Sequence, residues 1–276
     1  MSAPRLPAEP CPLPDMPPTA RLRLGTRASP LARWQAEWVA AQLAQRGVTV
    51  ELVPIATQGD VKTEPLGQIG GFGLFTKELQ RALLAGQIDL AVHSLKDLPT
   101  TPVAGLALAA VPLRESPLDV LVSSVADRIE TLPLGARVGT GSLRRRAQLL
   151  HLRPDLRLEE IRGNVETRLR KLDEGQYDAI ILAEAGLSRL GLVGRIAHVI
   201  SWNMMYPAVG QGALGIETRA DDTATRDLLS PLDHTASHQA VLAERSLLFS
   251  LLAGCLAPVG AFTRLDPSGL VLEGVV

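Results

Sequence analysis

From residue 21 onward, apolar runs of strand length alternate with stretches whose apolar residues recur every three or four positions. The runs that fit strands lie at 22–25, 48–55, 88–92, 156–161 and 178–182, with a further short strand near Val138. Helical stretches placed between such runs are typical of crossover helices that link neighbouring strands of one sheet. The sequence therefore predicts an α/β fold.

The helix boundaries carry their own signals. Ser29 and Pro30 fit an N-cap followed by the first helical position, and Gly47 ends that helix. Further helices are predicted over 76–85, over 143–152, from the cap at Asn164 to 172, and over 237–253. After the last of these, two strand-like runs at 259–263 and 270–276 predict a smaller C-terminal unit of a different kind.

Charge balance and composition exclude several classes of protein. Lys plus Arg total 28 and Asp plus Glu total 29, a formal net charge of −1, so a globally basic nucleic-acid binder is not expected. The most apolar stretch, 247–262, is interrupted by Ser250, Gly254 and Pro258 and falls short of the ~20 apolar residues of a membrane helix. With 46% apolar residues among 276, the chain suits two or three globular domains.

The N-terminal segment and the cysteines bear on location. The Pro-dense stretch 3–18 lacks the basic start and apolar middle of a signal peptide, so residues 1–20 are predicted to be a disordered tail. Cys11 in that tail and Cys255 near the end of the chain make no disulfide framework, and a cytoplasmic protein is expected. The histidines are scattered, and no metal site is predicted.

Basic residues cluster at two loop-to-helix junctions of the second block. Ser142 is followed by three arginines at 144–146, and the cap at Asn164 lies between Arg162 and Arg168. Helix N-termini present unpaired N–H groups and partial positive charge, and guanidinium groups bind carboxylates or phosphates with paired hydrogen bonds. The combination predicts a ligand with several separate acidic groups. Successive helical residues differ by about 100°, so three adjacent arginines cannot all face one cleft, and a solvated helix face remains the alternative.

Lys96 and Asp97 follow the predicted strand 88–92, at a place where ligands bind in α/β sheets. A carboxylate there can orient N–H groups and stabilise a developing cation, whereas an N-cap or a salt-bridge partner is the structural alternative. The Gly-rich stretch 70–73 lacks the spacing of a phosphate loop, so a flexible hinge or substrate-access loop is the better interpretation. A lone cysteine such as Cys255 is usually a small buried hydrophobe.

Taken together, these motifs resemble the porphobilinogen deaminase family of tetrapyrrole biosynthesis. The matching segments, in the family's order, are 24–32 (LGTRASPLA), 75–79 (FTKEL), 93–99 (HSLKDLP), 139–145 (GTGSLRR), 162–165 (RGNV), 207–213 (PAVGQGA) and 254–255 (GC). The resemblance implies three α/β domains, of which the first two are similar to the lobes of periplasmic binding proteins. The third is expected to be a small α+β domain.

The same resemblance implies a transferase that joins four porphobilinogen molecules head to tail, releases ammonia each time and makes hydroxymethylbilane. It implies a dipyrromethane primer, built from two substrate units and attached by a thioether to Cys255. Porphobilinogen is then the small-molecule partner, with no nucleic acid or membrane, and the family expectation is a monomer. The alternative is a two-lobed anion-binding module without catalysis. Asp97 and Cys255 count against it, because neither is needed merely to bind an anion.

Roles for individual residues follow from their positions in the matching motifs. Asp97 is the implied catalytic carboxylate, which contacts pyrrole N–H groups. The implied ligands of the primer's carboxylates are Lys96, Ser142, Arg144, Arg145 and Arg168. The positions implied at the incoming-substrate end are Arg27, Ser29, Arg162 and Arg189. Every pyrrole unit brings two carboxylates, so a growing chain needs several cations to neutralise it.

The resemblance also implies domain boundaries. Domain 1 takes 21–112 plus 213–230, domain 2 takes 118–206, and domain 3 takes 235–276 with Cys255. The family's third domain usually continues for several dozen residues past this point, so domain 3 is a candidate for truncation.

Four positions depart from the family pattern. Gln68 and Phe72 stand where lysines are common, and Gly141 stands where a serine is frequent. Arg146 has no fixed counterpart and is expected to be solvated. The loop around Phe72 is therefore expected to bring less positive charge to the cleft.

Overall fold

A computed structural model describes residues 20–57, 76–254, 257–267 and 269–276. Its helices within these ranges are α1 (Pro30–Ala44), α2 (Lys77–Leu84), α3 (Leu143–Leu152), α4 (Val165–Asp173), α5 (Glu184–Arg189), α6 (Thr223–Leu229) and α7 (Thr235–Ser250). The strands are β1 (Arg21–Thr26), β2 (Thr49–Pro54), β3 (Leu90–Ser94), β4 (Leu106–Ala110), β5 (Asp119–Ser123), β6 (Arg137–Gly139), β7 (Arg157–Glu159), β8 (Ala179–Ala183), β9 (His198–Ile200), β10 (Leu214–Arg219), β11 (Gly260–Asp266) and β12 (Gly269–Val275). The α/β prediction is confirmed.

The first sheet, with its helices, forms lobe 1. Its strand order is β2-β1-β3-β10-β4, in which β1 to β3 are parallel and β10 is antiparallel to both neighbours. Alternate residues of β3 face opposite sides of the sheet. Leu90 and Val92 pack with α1, while Ala91 packs with α2. The first helix starts where the sequence predicts, because Ser29 accepts a hydrogen bond from the Ala32 N–H and Pro30 occupies the first turn.

The second sheet, with α3 to α5, forms lobe 2. Its order is β7-β6-β8-β5-β9, with β6 to β8 parallel and β5 antiparallel to β8 and β9. Leu149 of α3 packs with Ile181 on one face, and Leu169 of α4 packs with Ile180 on the other. Each lobe therefore buries its own core, and the ends of the strands remain available for a site.

Two crossover segments, 111–118 and 207–213, connect the lobes and run side by side. The Glu115 N–H donates to the Gly212 carbonyl at 3.3 Å. Gly212 has φ of +85°, and a Cβ on it would lie 2.3 Å from the Glu115 carbonyl oxygen. Only glycine fits this conformation and this approach, so residue 212 sets how closely the crossovers pack.

The third unit consists of α7 and the β11–β12 hairpin. The Glu244 carboxylate of α7 is fully buried and accepts hydrogen bonds from Arg114, from the Gly210 N–H and from Thr263. Val241 of the same helix packs against lobe 1 residues. The third unit is therefore anchored where the two crossovers meet.

Sequence and structure differ most in the antiparallel strands. The sequence pattern predicts no strand for β4, β5, β9 or β10. These strands lie outside the regular alternation of strand, helix and strand from which the other strands were predicted. The run 156–161 forms a strand only over Arg157–Glu159. The helix over 143–152 is confirmed, and the last long helix runs from Thr235 to Ser250 instead of 237–253. In the part of the chain that the structure describes, no helix has the length and apolar character to cross a membrane.

Candidate active site between the lobes

The segment after β3 brings two predicted site residues to the edge of lobe 1. Strand β3 ends at Ser94, and 95–97 form one 3₁₀ turn. Leu95 and Leu98 are buried and anchor the turn on either side of Lys96 and Asp97. The side chains of Lys96 and Asp97 are half-buried.

Helix α7 supports this turn from behind. Arg245 donates hydrogen bonds to the carbonyls of Leu98 and Pro99, at 2.8 and 2.7 Å. The third unit thereby fixes the backbone that follows Asp97.

Asp97 opens into a small cavity of about 80 Å³. The polar residues that line it are Arg27, Ser29, Gln35, Thr76, His93, Ser94 and Asp97. Gln35 donates to the Ser94 hydroxyl at 2.9 Å, and Ser29 also caps α1. Three predicted site residues, Arg27, Ser29 and Asp97, therefore share one cavity that offers a cation, a hydroxyl and a carboxylate.

In lobe 2, the N-terminus of α3 carries two buried arginines. Ser142 caps the helix by accepting from the Arg145 N–H. Arg145 donates from Nε and Nη2 to Asp119 Oδ1, at 3.0 and 2.7 Å, and Arg144 donates from Nη1 to Asp119 Oδ2 at 2.7 Å. Arg146 is exposed and donates to the Leu158 carbonyl at 3.0 Å. The helical geometry thus turns two of the three arginines inward and the third away.

Asp119 carries the negative charge of this cluster. Burial alone would raise the pKa of the Asp119 carboxyl, but Arg144 and Arg145 outweigh burial and hold that pKa well below its usual range. The Asp119 carboxylate is therefore ionised at neutral pH. Arg144 also has one unsatisfied donor, because its buried Nε has no hydrogen-bond partner among the described residues.

Gln211 of the second crossover links Asp119 to Lys96. Its side-chain amide donates to Asp119 Oδ1 at 2.9 Å and to the Pro117 carbonyl at 2.6 Å, and its Oε1 accepts from Lys96 Nζ at 3.5 Å. Burial, together with the charges of Arg145 and Arg144, lowers the pKa of Lys96 to about 8, although Asp97 and Asp119 oppose the shift. The cluster therefore spans both lobes, and its cations outnumber its carboxylates.

Arg168 joins the cluster from α4. Its Nε donates to the Gly163 carbonyl at 2.8 Å. Burial, together with the charges of Arg145 and Arg162, lowers the pKa of Arg168 to about 10, although Asp97 opposes the shift. A guanidinium with that pKa is still charged at neutral pH. Arg168 is thus within electrostatic reach of both Arg145 in its own lobe and Asp97 in the other.

The two remaining predicted site residues have partners within the protein. Arg162 donates from Nε to Glu160 Oε1 at 2.9 Å. Arg189 is buried, donates to the Gly212 carbonyl at 2.6 Å and lies 6.0 Å from the centre of the Trp34 ring. Burial lowers the pKa of Arg189 to about 10. Arg189 thereby connects α5 to the second crossover and to α1.

The structure therefore gathers Lys96, Asp97, Arg144, Arg145 and Arg168 into one electrostatic cluster. Sequence reasoning missed Asp119 and assigned no role to Gln211. A signal for Asp119 was available, because it is a charged residue at the start of an otherwise apolar run, 120–122. Three predicted positions, Gln68, Phe72 and Cys255, lie outside the described residues.

Metal binding has no support in this part of the chain. Among the described residues, no group of three or more His, Cys, Asp or Glu side chains is arranged to hold a metal ion.

Comparisons with known proteins give a consistent result. A family model described as porphobilinogen deaminase, dipyromethane cofactor binding domain, matches residues 22–227. Two curated porphobilinogen deaminases, from two strains of Acidithiobacillus ferrooxidans, are each 52% identical to the chain over 258 residues. The alignment covers 92% of this chain and 84% of each relative.

Solved structures align less closely. A putative methionine-binding lipoprotein from Bacillus subtilis has a TM-score of 0.48 at 14% identity, over 77% of this chain and 89% of that one. The methionine binding protein MetQ has a TM-score of 0.49 at 15% identity, over 83% of this chain and 95% of that one.

Proposed function

Because the chain belongs to the porphobilinogen deaminase family, we propose that the cationic cluster between its lobes binds the carboxylates of a dipyrromethane primer and of the pyrrole units added to it. The chain is a hydroxymethylbilane synthase, a transferase of tetrapyrrole biosynthesis. It joins four porphobilinogen molecules head to tail and releases ammonia. The observation that carries the proposal is the surplus of cations around Asp119, of which Arg144 and Arg145 are buried and Lys96 and Arg168 are half-buried.

The cluster suits a ligand with several carboxylates. Among the described residues, four cations, Lys96, Arg144, Arg145 and Arg168, face the two carboxylates of Asp119 and Asp97. The lowered pKa of Lys96 reports a strain on its positive charge that comes first from burial and then from Arg145 and Arg144. A bound carboxylate relieves that strain, because ion pairing compensates the cost of burying cations. We assign the unsatisfied Nε–H of Arg144 as a further hydrogen-bond donor to the same ligand. The residues present therefore fit the primer.

We assign the catalytic role to Asp97. When bound, the primer supplies the pyrrole carbon from which the chain grows. Asp97 is suited to accept hydrogen bonds from pyrrole N–H groups and to oppose the positive charge that porphobilinogen develops as its amino group leaves. A fixed carboxylate is most effective where water is partly excluded, as in the small cavity it shares with Arg27 and Ser29.

We assign the attachment of the primer to Cys255. The described residues on either side of it support this placement, since the Ala257 N–H donates to the Gly254 carbonyl at 2.9 Å. Ala253 and Ala257 pack against a cluster that contains Val209, two residues before Gln211. The described residues Ala253 and Ala257 therefore lie beside the crossover that carries the link to Lys96.

The remaining proposals concern the incoming substrate and the organisation of the chain. Arg27, Ser29, Arg162 and Arg189 are assigned to the substrate end, supported by the cavity that the first two share with Asp97. We also propose the domain division 21–112 plus 213–230, 118–206 and 235–276, which is supported by the return of β10 to the first sheet. A cytoplasmic monomer remains the expected form.

Intact-protein mass spectrometry tests the proposal. Wild-type protein from cells that make porphobilinogen is expected to carry a mass increment equal to two linked pyrrole units. Cys255→Ala removes the increment, whereas Cys11→Ala, the matched control, retains it. An unmodified but folded wild-type protein would contradict the proposal and favour an anion-binding module without catalysis. Circular dichroism on the same samples establishes that each variant is folded.

A further inference from the structure

Asp119 makes more contacts than an ordinary ion pair requires. It is 0% exposed, and both of its carboxylate oxygens are used. Oδ1 accepts from two nitrogens of Arg145 and from Gln211, and Oδ2 accepts from Arg144. These four contacts lie between 2.7 and 3.0 Å. Neither the family motifs nor the proposed catalytic chemistry gives this residue a task.

The hydrogen-bond network around Asp119 joins three parts of the molecule. Arg144 and Arg145 belong to the first turn of α3 in lobe 2, and Gln211 belongs to the second crossover. Through Gln211 the network reaches Lys96 at the edge of lobe 1. A single carboxylate in lobe 2 is thus hydrogen-bonded, directly or through one amide, to three of the cations assigned to the primer.

We propose that Asp119 is a positioning residue: it fixes Arg144 and Arg145 directly, and Lys96 through Gln211, in the arrangement that receives the carboxylates of the primer and substrate. This inference rests on the proposed function of the cluster. It adds a role for a residue that touches no ligand itself.

The physical reason is repulsion between neighbouring cations. Two adjacent guanidinium groups and a nearby ammonium group separate unless an anion holds them, and a ligand would then have to reassemble them at its own entropic cost. Asp119 removes that cost before the ligand arrives. Because one anion faces three cations, enough positive charge remains to bind carboxylates.

A paired substitution isolates this role. Asp119→Asn removes the charge while it keeps the size of the side chain. Glu217→Gln is the matched control, since Glu217 is also a buried carboxylate on an antiparallel strand, but it contacts the Gln80 amide and the His93 ring instead of guanidinium groups. Both variants lose a buried carboxylate, and only one loses the contacts to the arginines.

Three measurements are made on each full-length variant. Intact mass gives the fraction that carries the primer. Steady-state kinetics of the loaded fraction separate KM for porphobilinogen from kcat. Reductive methylation at a series of pH values, with peptide mapping, gives the pKa of Lys96. The charged groups that act on Lys96 are Asp97, Asp119, Arg144 and Arg145, so the titration reports directly on the loss of Asp119.

Asp119→Asn is expected to lower primer occupancy at least twofold, to raise KM at least tenfold with less than threefold change in kcat, and to move the Lys96 pKa below its wild-type value. Glu217→Gln is expected to change none of the three. If Asp119→Asn matches wild type in occupancy, KM and Lys96 titration, Asp119 only stabilises the fold and the inference is wrong. A wild-type protein without primer would instead contradict the proposed function.

A second variant applies if Asp119→Asn does not fold. Gln211→Ala leaves all charges in place and removes the connection from Asp119 to Lys96, together with the hydrogen bond to the Pro117 carbonyl. A rise in KM of at least threefold, together with a shift of the Lys96 titration, is expected. Wild-type behaviour in both measurements would overturn the link through Gln211.

Discussion

Lobes 1 and 2 are built on the same plan and use it for different chemistry. Their strand orders correspond position by position, and in each sheet the fourth strand, β10 or β5, is antiparallel to its neighbours. Both also contain the same clamp. The backbone N–H and guanidinium of Arg23 donate to Asp89 in lobe 1, and those of Arg137 donate to Asp178 in lobe 2. The clamp ties the first parallel strand to the start of the third in each case.

The lobes differ in what their buried carboxylates face. In lobe 1, Glu217 of β10 meets the neutral amide of Gln80 and the ring of His93. In lobe 2, Asp119 of β5 meets two guanidinium groups. We therefore propose that the shared scaffold supplies stability, while lobe 2 contributes Arg144, Arg145 and Arg168 to the binding of the primer and lobe 1 contributes Lys96 and the proposed catalytic carboxylate, Asp97.

The largest expected effect breaks the charged centre of lobe 2. Arg145→Leu leaves the Asp119 charge partly uncompensated, and we expect the free energy of unfolding to fall by about 3–5 kcal/mol. Gln80→Leu, its counterpart in lobe 1, removes a neutral partner and should cost about 1–3 kcal/mol. The exposed Arg146→Leu should cost at most about 1 kcal/mol and leave the primer in place. Urea denaturation measures all three, and equal losses at 145 and 146 would show a diffuse field of charge instead of placed ligands.

The second effect concerns the carboxylate of lobe 1. Asp97→Asn keeps the size of the side chain and one acceptor but removes the charge, so turnover is expected to fall at least ~10²-fold while the protein still folds. Asp97→Glu should retain more activity, since its charge survives. Turnover is followed by the colour of uroporphyrin formed from the released product, with primer occupancy measured on the same sample.

A control for that experiment lies on the surface of lobe 2. Asp173→Asn disrupts the ion pair with Arg195, in which the side chains of Arg195 and Asp173 are 35% and 56% exposed. The turnover of this variant should stay within about twofold of wild type. Full turnover by a loaded Asp97→Asn protein would remove Asp97 from the catalytic role.

A third pair of substitutions tests whether the two clamps are equivalent. Asp89→Ala and Asp178→Ala should each lower the free energy of unfolding by about 1–3 kcal/mol, because each leaves donors without their acceptor. Asp89→Ala should lower the free energy of unfolding slightly more than Asp178→Ala, since Arg219 also donates to Asp89 at 3.4 Å. Chemical denaturation provides the measurement, and a loss at one clamp only would mean that the lobes are stabilised differently.

The clamps also predict a dependence on pH. Burial opposes the shift at Asp89, but hydrogen bonds from Arg23 lower the pKa of Asp89, and those from Arg137 lower the pKa of Asp178. A carboxyl group whose pKa is lowered by folding contributes stability that is fully present above pH 3.8, its ordinary pKa. This stability is lost as the pH falls through the pKa of the group in the folded state. The alanine variants should therefore differ most from wild type at neutral pH and converge with it in acid.

The smallest expected effect is the titration of Lys96 between the lobes. With the pKa of Lys96 near 8, its charge is lost as the pH rises through that value, and KM for porphobilinogen should increase about fivefold, the equivalent of about 1 kcal/mol. Lys96→Arg stays charged, so its KM should vary less between pH 7 and 9.5. Parallel KM profiles for the two proteins would assign the pH dependence to the substrate.

The sequence predicted much of each lobe but little of how the lobes relate. Local signals were sufficient for α1 and α3, whose caps at Ser29 and Ser142 form as expected. They were insufficient for β5 and β10, because neither of these antiparallel strands belongs to a unit of two parallel strands joined by a crossover helix. The correspondence between the two Arg–Asp clamps was likewise invisible, since 66 residues separate one pair and 41 the other.

By itself, the sequence determined the α/β class, the helix caps, the order of the motifs and hence the family, because these depend on neighbouring residues. It also supplied the side chains of the site, among them Asp97 and Arg145. Only the tertiary structure decided which of them meet. The pairing of Asp119 with two arginines, and its connection to Lys96 through Gln211, joins residues up to 115 positions apart. Such contacts form because a charge can be buried only beside an opposite charge, and the fold alone determines which charges become neighbours.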